Sequence, residues 1–337
     1  MDPAQGQESP ALRRARLARL LLAQRRSTKP ADSDTQPRSE ETAPATPAQQ
    51  ALWFIDQLEG PDGRYNIPIV RRFDGPLDVA ALERALQGLV DRHSSLRTSF
   101  EDSDGAALQR VHASVPIALV VETVPNGGDP AFLEARLLAQ VQEAFDLRRP
   151  PLIRALLLRT APTTHVLSLV VCHMVSDGWS IEVIERDLAA LYRIETGAPD
   201  IPPLAPAPDF IEHARASAAE LDDRRLVELL AHWRDRLAGL EPLTLPGDLD
   251  DHDSRLLPAR VVAIDIPAGL VGRLRSIAHA QHTTGFTLLL AAFNLLLARL
   301  SGREDITIGT PVARRDRPEL QSMIGCLLDT LVLRTDT

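Results

Sequence analysis

The stretch from Cys172 to Ser180, C-H-M-V-S-D-G-W-S, combines residue types that could carry acid–base chemistry. It follows a run of mainly valine and leucine, His165 to Cys172, which predicts a buried strand, and it precedes a helical pattern. The end of a strand is a favourable position for a reactive side chain, because the strand fixes the backbone while the loop exposes the tip. Histidine transfers protons near neutral pH, so His173 is the candidate catalytic residue.

The neighbours of His173 have expected roles of their own. Asp177 can cap the following helix or pair with a buried cation, and Gly178 can adopt backbone angles closed to other residues. The pattern H-x-x-x-D-G alone leaves a second interpretation open, a hydrogen-bonded core histidine. A metal site is disfavoured because no third ligand stands nearby. A nucleophilic pair of Cys172 and His173 is disfavoured because consecutive strand residues point to opposite faces.

The elements predicted around this segment alternate between helix and strand, which indicates a mixed α/β fold. Apolar spacing predicts one helix that starts after an N-cap at Asp78 and another over Ser180 to Ile194. The remaining predictions are helices over 130–145, 222–240, 268–281 and 287–300, and strands over 115–121, 152–158, 260–266 and 305–310.

Composition restricts the classes of function. The 337 residues include 46 acidic and 37 basic side chains, a formal charge of −9, which argues against nucleic acid as the main partner. Two cysteines are too few for a disulfide framework or a structural zinc site, and they fit a reducing cytoplasm. No signal peptide is expected, because the N-terminal leucines are mixed with arginines and form no continuous apolar region. No membrane span is expected, because the longest apolar stretch, 286–297, is too short to cross a bilayer. Abundant alanine and arginine, with one lysine, indicate a GC-rich bacterial source.

The chain divides into three predicted regions. Residues 1–45 combine a basic helix with a linker rich in Pro, Ser, Thr, Asp and Glu, which has little to bury and is expected to be disordered; the region is a possible docking segment. A first lobe is expected over 46–196. A second, partial lobe is expected over 197–337, and it opens with a proline-rich connection at 197–208. Two lobes are consistent with a chain of this length.

Four further stretches accompany the segment around His173 in a fixed order. They are Thr46–Phe54 (T-P-A-Q-Q-A-L-W-F), Arg92–Phe100 (R-H-S-S-L-R-T-S-F), Ile308–Arg317 (I-G-T-P-V-A-R-R-D-R) and Ile324–Arg334 (I-G-C-L-L-D-T-L-V-L-R). Together with C-H-M-V-S-D-G-W-S they resemble the ordered motifs of nonribosomal peptide synthetase condensation domains, whose signature is H-H-x-x-x-D-G-W-S. Five ordered matches are far more specific than any one of them.

The resemblance implies two chloramphenicol-acetyltransferase-like lobes that form a V, with the active site in the tunnel between them. It implies an acyltransferase that joins the amino group of one carrier-bound aminoacyl thioester to the carbonyl of another. His173 matches the second signature histidine, which would position or deprotonate the attacking amine. The implied partners are donor and acceptor carrier proteins, and further an adenylation domain or other synthetase modules. The substrates arrive on the carriers' phosphopantetheine arms, so no cofactor is expected on this chain.

The resemblance also gives structural roles to the residues around His173. Asp177 is expected to pair with Arg97, Gly178 to allow close backbone approach, and Trp179 to pack, with Ser180 completing the signature. Cys172 replaces the first signature histidine. A thiol is a weaker hydrogen-bond partner than an imidazole, so lowered or redirected activity is expected.

Other departures leave alternatives open. Ala51 replaces an arginine of the first motif, Asp329 replaces an asparagine of the last, and only part of a Y-x-D-F-A-x-W motif remains around Asp209. The family's chain normally continues well beyond Arg334, so an incomplete second lobe with exposed apolar edges is expected. The alternatives are a non-catalytic scaffold or recruitment domain, a degenerate fragment, and an epimerisation domain. The last usually has another sequence in place of Trp179-Ser180.

Overall fold

The structure is a computed structural model that describes residues 41–125, 128–199, 201–220, 223–246 and 262–337. The basic helix and nearly all of the linker predicted over residues 1–45 lie outside these residues. The described end of that linker, residues 41–44, is a paired strand and not disordered. The strands that it describes are β1 (Glu41–Pro44), β2 (Asn66–Asp74), β3 (Thr98–Ser103), β4 (Ala106–Val111), β5 (Leu119–Thr123), β6 (Ile153–Ala161), β7 (Thr164–Cys172), β8 (Asp305–Ala313) and β9 (Leu328–Asp336). The helices are α1 (Pro47–Glu59), α2 (Val79–Arg92), α3 (Pro130–Gln142), α4 (Gly178–Glu195), α5 (Phe210–Glu220), α6 (Asp223–Arg236), α7 (Ala268–Ala280) and α8 (Gly285–Ser301).

A four-stranded sheet with the order β2-β7-β6-β5 holds the strand that leads into the candidate site. β7 pairs antiparallel with both β2 and β6, and β5 pairs parallel with β6. Successive residues of a strand face opposite sides. Leu157 therefore joins the main core, while Leu156 and Leu158 pack on the other side against partly buried leucines of α3. Both faces of the central strands are covered, which explains their continuous apolar sequence.

Helices α2 and α4 pack against each other and bury their apolar faces in the main core. Their buried residues recur every three or four positions, as expected for amphipathic helices: Leu82, Leu86, Leu89 and Val90 in α2, and Ile184 and Leu188 in α4. Asp78 caps α2 by accepting a hydrogen bond from the backbone N–H of Ala81 at 2.9 Å. The predicted N-cap and helix are confirmed.

A second, three-stranded sheet has the order β1-β4-β3. The buried side chain of Gln50 in α1 attaches to it by a reciprocal pair of hydrogen bonds. Its Nε2 donates to the carbonyl oxygen of Ala107 at 2.7 Å, and its Oε1 accepts from the backbone N–H of Ala107 at 3.0 Å. The side-chain amide of Gln50 thus forms the same two hydrogen bonds with the backbone of β4 that a neighbouring strand would form.

The described chain forms two compact units. The first unit contains the described residues up to Asp223 together with residues 313–329. The second unit contains residues 224–312 and 330–337. In the second unit α7 and α8 contact each other, and the half-buried Arg334 forms an ion pair with Asp305 at 2.6 Å. These boundaries differ from those of the lobes predicted over 46–196 and 197–337, and the lobe assignment itself stays a prediction.

Most predicted elements are present, with shifted ends. The helix predicted over 287–300 forms over Gly285–Ser301, whereas the strand predicted over 115–121 begins only at Leu119. The strand predicted over 260–266 is wrong in its described part, since residues 262–266 form no strand.

Among the described residues no single helix is long and apolar enough to cross a membrane. Only the pair of helices α7 and α8 taken together is long and apolar enough, and the two helices are bent by 104° relative to each other.

Candidate active site

His173 follows directly on β7 as the first residue of a short 3-10 turn, His173–Val175. Its backbone N–H donates to the carbonyl oxygen of Tyr65 at 3.0 Å, which prolongs the pairing of β2 with β7 by one bond. The next carbonyl, of Met174, accepts a 2.9 Å hydrogen bond from Nε2 of the fully buried Gln49. The backbone around His173 is therefore held from both sides, while its side chain stays half-buried.

Cys172 is buried in the main core, whereas the imidazole of His173 is half-exposed. Burial raises the pKa of the Cys172 thiol to about 12, so the group is a neutral thiol near pH 7. The two side chains therefore differ in burial, and their divergence stays a prediction. The nucleophilic pair that the sequence analysis disfavoured has no support in this geometry.

Asp177 caps α4 with a fully buried carboxylate. Its Oδ1 accepts hydrogen bonds from the backbone N–H of Ser180 at 2.9 Å and from the Ser180 hydroxyl at 2.8 Å. Its own backbone N–H lies 3.3 Å from the Ser180 Oγ, which completes a reciprocal capping box. The predicted capping role of Asp177 is confirmed, and Ser180 has a structural role beside it.

The buried cation that pairs with Asp177 is Arg315. Its Nη2 lies 2.9 Å from Oδ1 and 3.0 Å from Oδ2 of Asp177, and both side chains are almost fully buried. The other terminal nitrogen, Nη1, donates to the carbonyl oxygens of Leu320 and Met323 at 2.5 and 2.7 Å. The backbone N–H of Leu327 donates to Oδ2 at 3.1 Å. The ion pair therefore holds residues 313–329 against the start of α4.

The predicted pair of Asp177 and Arg97 is wrong. Arg97 binds backbone carbonyls instead: Nε donates to Val90 at 3.1 Å, and Nη1 donates to His112 and Ala113. It ties the end of α2 to the chain that follows β4. The Arg97 guanidinium already donates to three carbonyl oxygens. The carboxylate of Asp177 is bound instead by Arg315, which lies 138 residues farther along the chain.

Gly178 and Trp179 also differ from expectation. A Cβ built on Gly178 would meet no atom within 4 Å, and its φ lies outside the left-handed region, so neither close approach nor backbone strain requires glycine here. Trp179 packs only in part, since 41% of it is exposed. Its Nε1 donates to the carbonyl oxygen of Gln321 at 3.0 Å, and its ring centre lies 5.8 Å from the guanidinium carbon of Arg315.

Three residues that the sequence analysis did not single out position this site: Gln49, Arg315 and Cys326. Arg315 and Cys326 lie in the two C-terminal motif stretches, and Gln49 lies in the first. Their positions in these motifs were the only indication in the sequence that they matter for the site, and the motifs did not predict which groups they bind. Cys326 is 2% exposed, and its Sγ lies 3.9 Å from Nδ1 of His173.

A second buried cluster of charges lies between α2 and α4. Asp187 accepts hydrogen bonds from Nε2 of His93 at 3.0 Å and from Nε of Arg92 at 2.8 Å, and Arg186 adds a third at 2.9 Å. Burial by itself would raise the pKa of the Asp187 carboxyl, but these three donors together hold it well below its usual range. Burial lowers the pKa of His93, which keeps it neutral near pH 7. Arg92 and His93, the first two residues of the R-H-x-x-L-R-T motif, thus connect α2 to α4 through Asp187.

No group of three or more His, Cys, Asp or Glu side chains among the described residues is arranged to hold a metal ion. The polar groups around His173 are instead committed to one another and to the backbone.

A model of the condensation domain family matches residues 39–337. The chain belongs to this family. Chondramide synthase of Chondromyces crocatus is 35% identical to it over 296 residues, which are 87% of this chain and 8% of that protein. Cyclosporin synthetase of Tolypocladium inflatum is 38% identical over 307 residues, which are 87% of this chain and 2% of that protein. The chain spans only 2–9% of the length of the curated relatives it matches.

Two solved structures share the fold. The X-domain in a complex with OxyB from teicoplanin biosynthesis is similar with a TM-score of 0.74 and 30% identity, over 92% of this chain and 68% of that one. The first condensation domain of the CDA synthetase is similar with a TM-score of 0.72 at 22% identity, over 89% and 72% of the two chains. The fold is the chloramphenicol-acetyltransferase-like fold of condensation domains, as the sequence predicted.

Proposed function

We propose that this chain catalyses amide bond formation between two carrier-bound aminoacyl or peptidyl thioesters, the condensation step of nonribosomal peptide synthesis. The observation that carries the proposal is the environment of His173. Its side chain is half-exposed, while the backbone at Cys172 and Met174 is buried and hydrogen-bonded on both sides. An imidazole that is fixed in place yet accessible suits a reaction in which protons must move near neutral pH.

In this reaction the acceptor's amino group attacks the donor's thioester carbonyl. The C–N bond forms, the C–S bond breaks, and the proton lost by the amine ends on the departing thiolate. An α-amino group has a pKa of about 7.7–8.0, so little driving force is needed to move its proton. Among the described residues, Nε2 of His173 has no hydrogen-bond partner, which leaves it available to position or deprotonate the amine.

The substrates and partners belong to the same proposal. Donor and acceptor carrier proteins would each deliver a phosphopantetheine arm, and an adenylation domain or other synthetase modules would load them. We place the reaction in the cytoplasm of a bacterium. Both cysteines are free and buried, as is usual in a reducing compartment.

The test is a condensation assay with two loaded carrier proteins, with the dipeptidyl carrier followed by mass spectrometry. His173→Ala should lower the rate at least about 100-fold, since a positioned acid–base group contributes about that much or more. His279→Ala is the matched control, because that imidazole is exposed on α7 in the second unit, and it should leave the rate unchanged. An equal rate in the wild type and His173→Ala would contradict the proposed role of His173.

A second candidate function is a recruitment domain without condensation activity. Two observations favour it: a neutral, buried thiol occupies the position of the first signature histidine, and the X-domain of teicoplanin biosynthesis forms a complex with OxyB. The assay distinguishes the two candidates. If no product forms although both carriers bind the folded chain, and if His173→Ala leaves that binding unchanged, the recruitment function is favoured.

A further inference from the structure

Cys326 is the one protein group, among the residues that the structure describes, whose side chain meets the ring of His173 within hydrogen-bonding distance. The Sγ–Nδ1 distance of 3.9 Å suits a long contact to sulfur. The thiol is 2% exposed, and no other role for it follows from the fold.

The position of this thiol is set by the buried cluster around Asp177. On one side of Cys326, the backbone N–H of Gly325 donates to the Ser180 Oγ at 3.2 Å. On the other side, the N–H of Leu327 donates to Asp177 Oδ2 at 3.1 Å. The backbone at Cys326 is thus fixed at both neighbours, and Asp177 is connected to His173 through this short segment without touching it.

The chemistry of the thiol decides the direction of the hydrogen bond. Burial raises the pKa of Cys326 to about 12, so its proton is retained near pH 7 and can be donated. A thiol that keeps its proton can donate it to the ring, and a neutral imidazole offers one nitrogen as an acceptor.

We propose that Cys326 is a positioning residue that donates its S–H to Nδ1 of His173 and so holds the neutral imidazole with its proton on Nε2. This inference rests on the proposed function and narrows it, because an Nε2 that carries the proton cannot deprotonate the amine. With Nε2 protonated, His173 enters the reaction as a hydrogen-bond donor. It stabilises the oxyanion that forms when the amine adds to the thioester carbonyl. The C–S bond then breaks, and the ammonium proton passes to the thiolate sulfur.

The first test needs no carrier protein. Nitrogen-15 NMR of the full chain with labelled histidine, assigned by the signal lost in His173→Gln, reports the tautomer of His173 directly. The expected result is a proton on Nε2 and a hydrogen-bonded Nδ1 in the wild type. A wild-type spectrum with the proton on Nδ1 would overturn the proposal, whichever variants fold.

Three variants separate the thiol contact from a general effect of packing. Cys326→Ala should shift the Nδ1 signal, and Cys326→Ser, which keeps a donor, should shift it back toward the wild-type position. Cys172→Ala is the matched control, because that thiol is also buried but, among the described contacts, makes no hydrogen bond to the ring, and it should leave the signal in place. Equal shifts in Cys172→Ala and Cys326→Ala would reject the specific contact.

The condensation assay then connects the contact to catalysis. Cys326→Ala should lower kcat about fivefold, the usual effect of one neutral hydrogen bond, with KM for both carriers unchanged and with partial recovery in Cys326→Ser. An unchanged kcat in Cys326→Ala would reject its positioning role. If the wild type forms no product while the NMR results hold, the proposed function fails and the Cys326 contact stands.

Discussion

Asp177 and Arg315 form a buried ion pair at 2.9 and 3.0 Å, although 138 residues separate them in the sequence. The carboxylate belongs to the signature that contains the candidate catalytic histidine, and the guanidinium belongs to a motif stretch near the C-terminal end of the sequence. Because Arg315 also binds the carbonyls of Leu320 and Met323, the pair anchors the whole segment that brings Cys326 to His173.

The ion pair makes a prediction that separates Arg315 from Arg97. Arg315→Met should lower the free energy of unfolding by about 3–5 kcal/mol, because it leaves the carboxylate of Asp177 buried without its cation. Arg97→Met removes hydrogen bonds to carbonyls only and should cost about 1–3 kcal/mol. Urea unfolding of single and double variants with Asp177→Asn should give a large coupling energy for Arg315 and none for Arg97. A stronger coupling to Arg97 would reject this assignment.

The two adjacent glutamines of α1 should have different effects on catalysis. Gln49→Ala and Gln50→Ala each leave buried backbone groups without a partner, so each should cost about 1–3 kcal/mol of stability. Only Gln49→Ala should also lower kcat, because its partner is the carbonyl of Met174, next to His173. Gln50 binds Ala107 in the other sheet and serves as the matched control. Equal losses of kcat after correction for the folded fraction would contradict this distinction.

Gly325 should be far less tolerant of a side chain than Gly272. A Cβ on Gly325 would overlap with Cδ2 of the buried Phe210, so Gly325→Ala should cost about 1–3 kcal/mol through overpacking. Gly272 lies inside α7 with no atom within 4 Å of such a Cβ, and Gly272→Ala should stabilise the chain by up to about 1 kcal/mol. Thermal and urea unfolding of both variants test the contrast. A neutral Gly325→Ala would show that Phe210 can move away.

Stability should depend on pH through His93. Its pKa in the folded state lies below 6.5 because burial disfavours the imidazolium, and its bond to Asp187 opposes this only in part. The contribution of His93 should therefore be nearly constant above about pH 7.5, one unit above the usual pKa of histidine. Below that pH the unfolded chain binds a proton that the folded chain does not, so stability should fall by up to about 1.4 kcal/mol per pH unit.

Urea midpoints at pH 7.5, 6.5 and 5.5 measure this dependence. Burial also lowers the pKa of His213, so part of the slope should persist in a His93→Gln variant. The low pKa of Asp187 places its own titration far below this range. A slope in His93→Gln as steep as in the wild type would assign the whole effect to other groups.

Local patterns in the sequence were sufficient for most elements that carry the site. The run before Cys172 predicted β7, and apolar spacing together with Asp78 predicted α2 and its cap. Asp177 was recognised as a cap for α4, since the capping bonds reach only three residues ahead. These features depend on neighbours in the chain, so residue types and spacing suffice to predict them. The strand expected over residues 260–266 had the same kind of local pattern, yet its described part forms no strand.

The partners of the site residues were decided by tertiary structure. The sequence contains many arginines, and nothing in the spacing of Asp177 distinguishes Arg97 from Arg315. The choice depends on which guanidinium reaches the buried carboxylate, and Arg97 is already satisfied by carbonyls near its own motif. The contact between Cys326 and His173 spans 153 residues and exists because the segment around Arg315 packs on the start of α4. Sequence predicted the chemistry offered at His173, and packing determined which groups orient it.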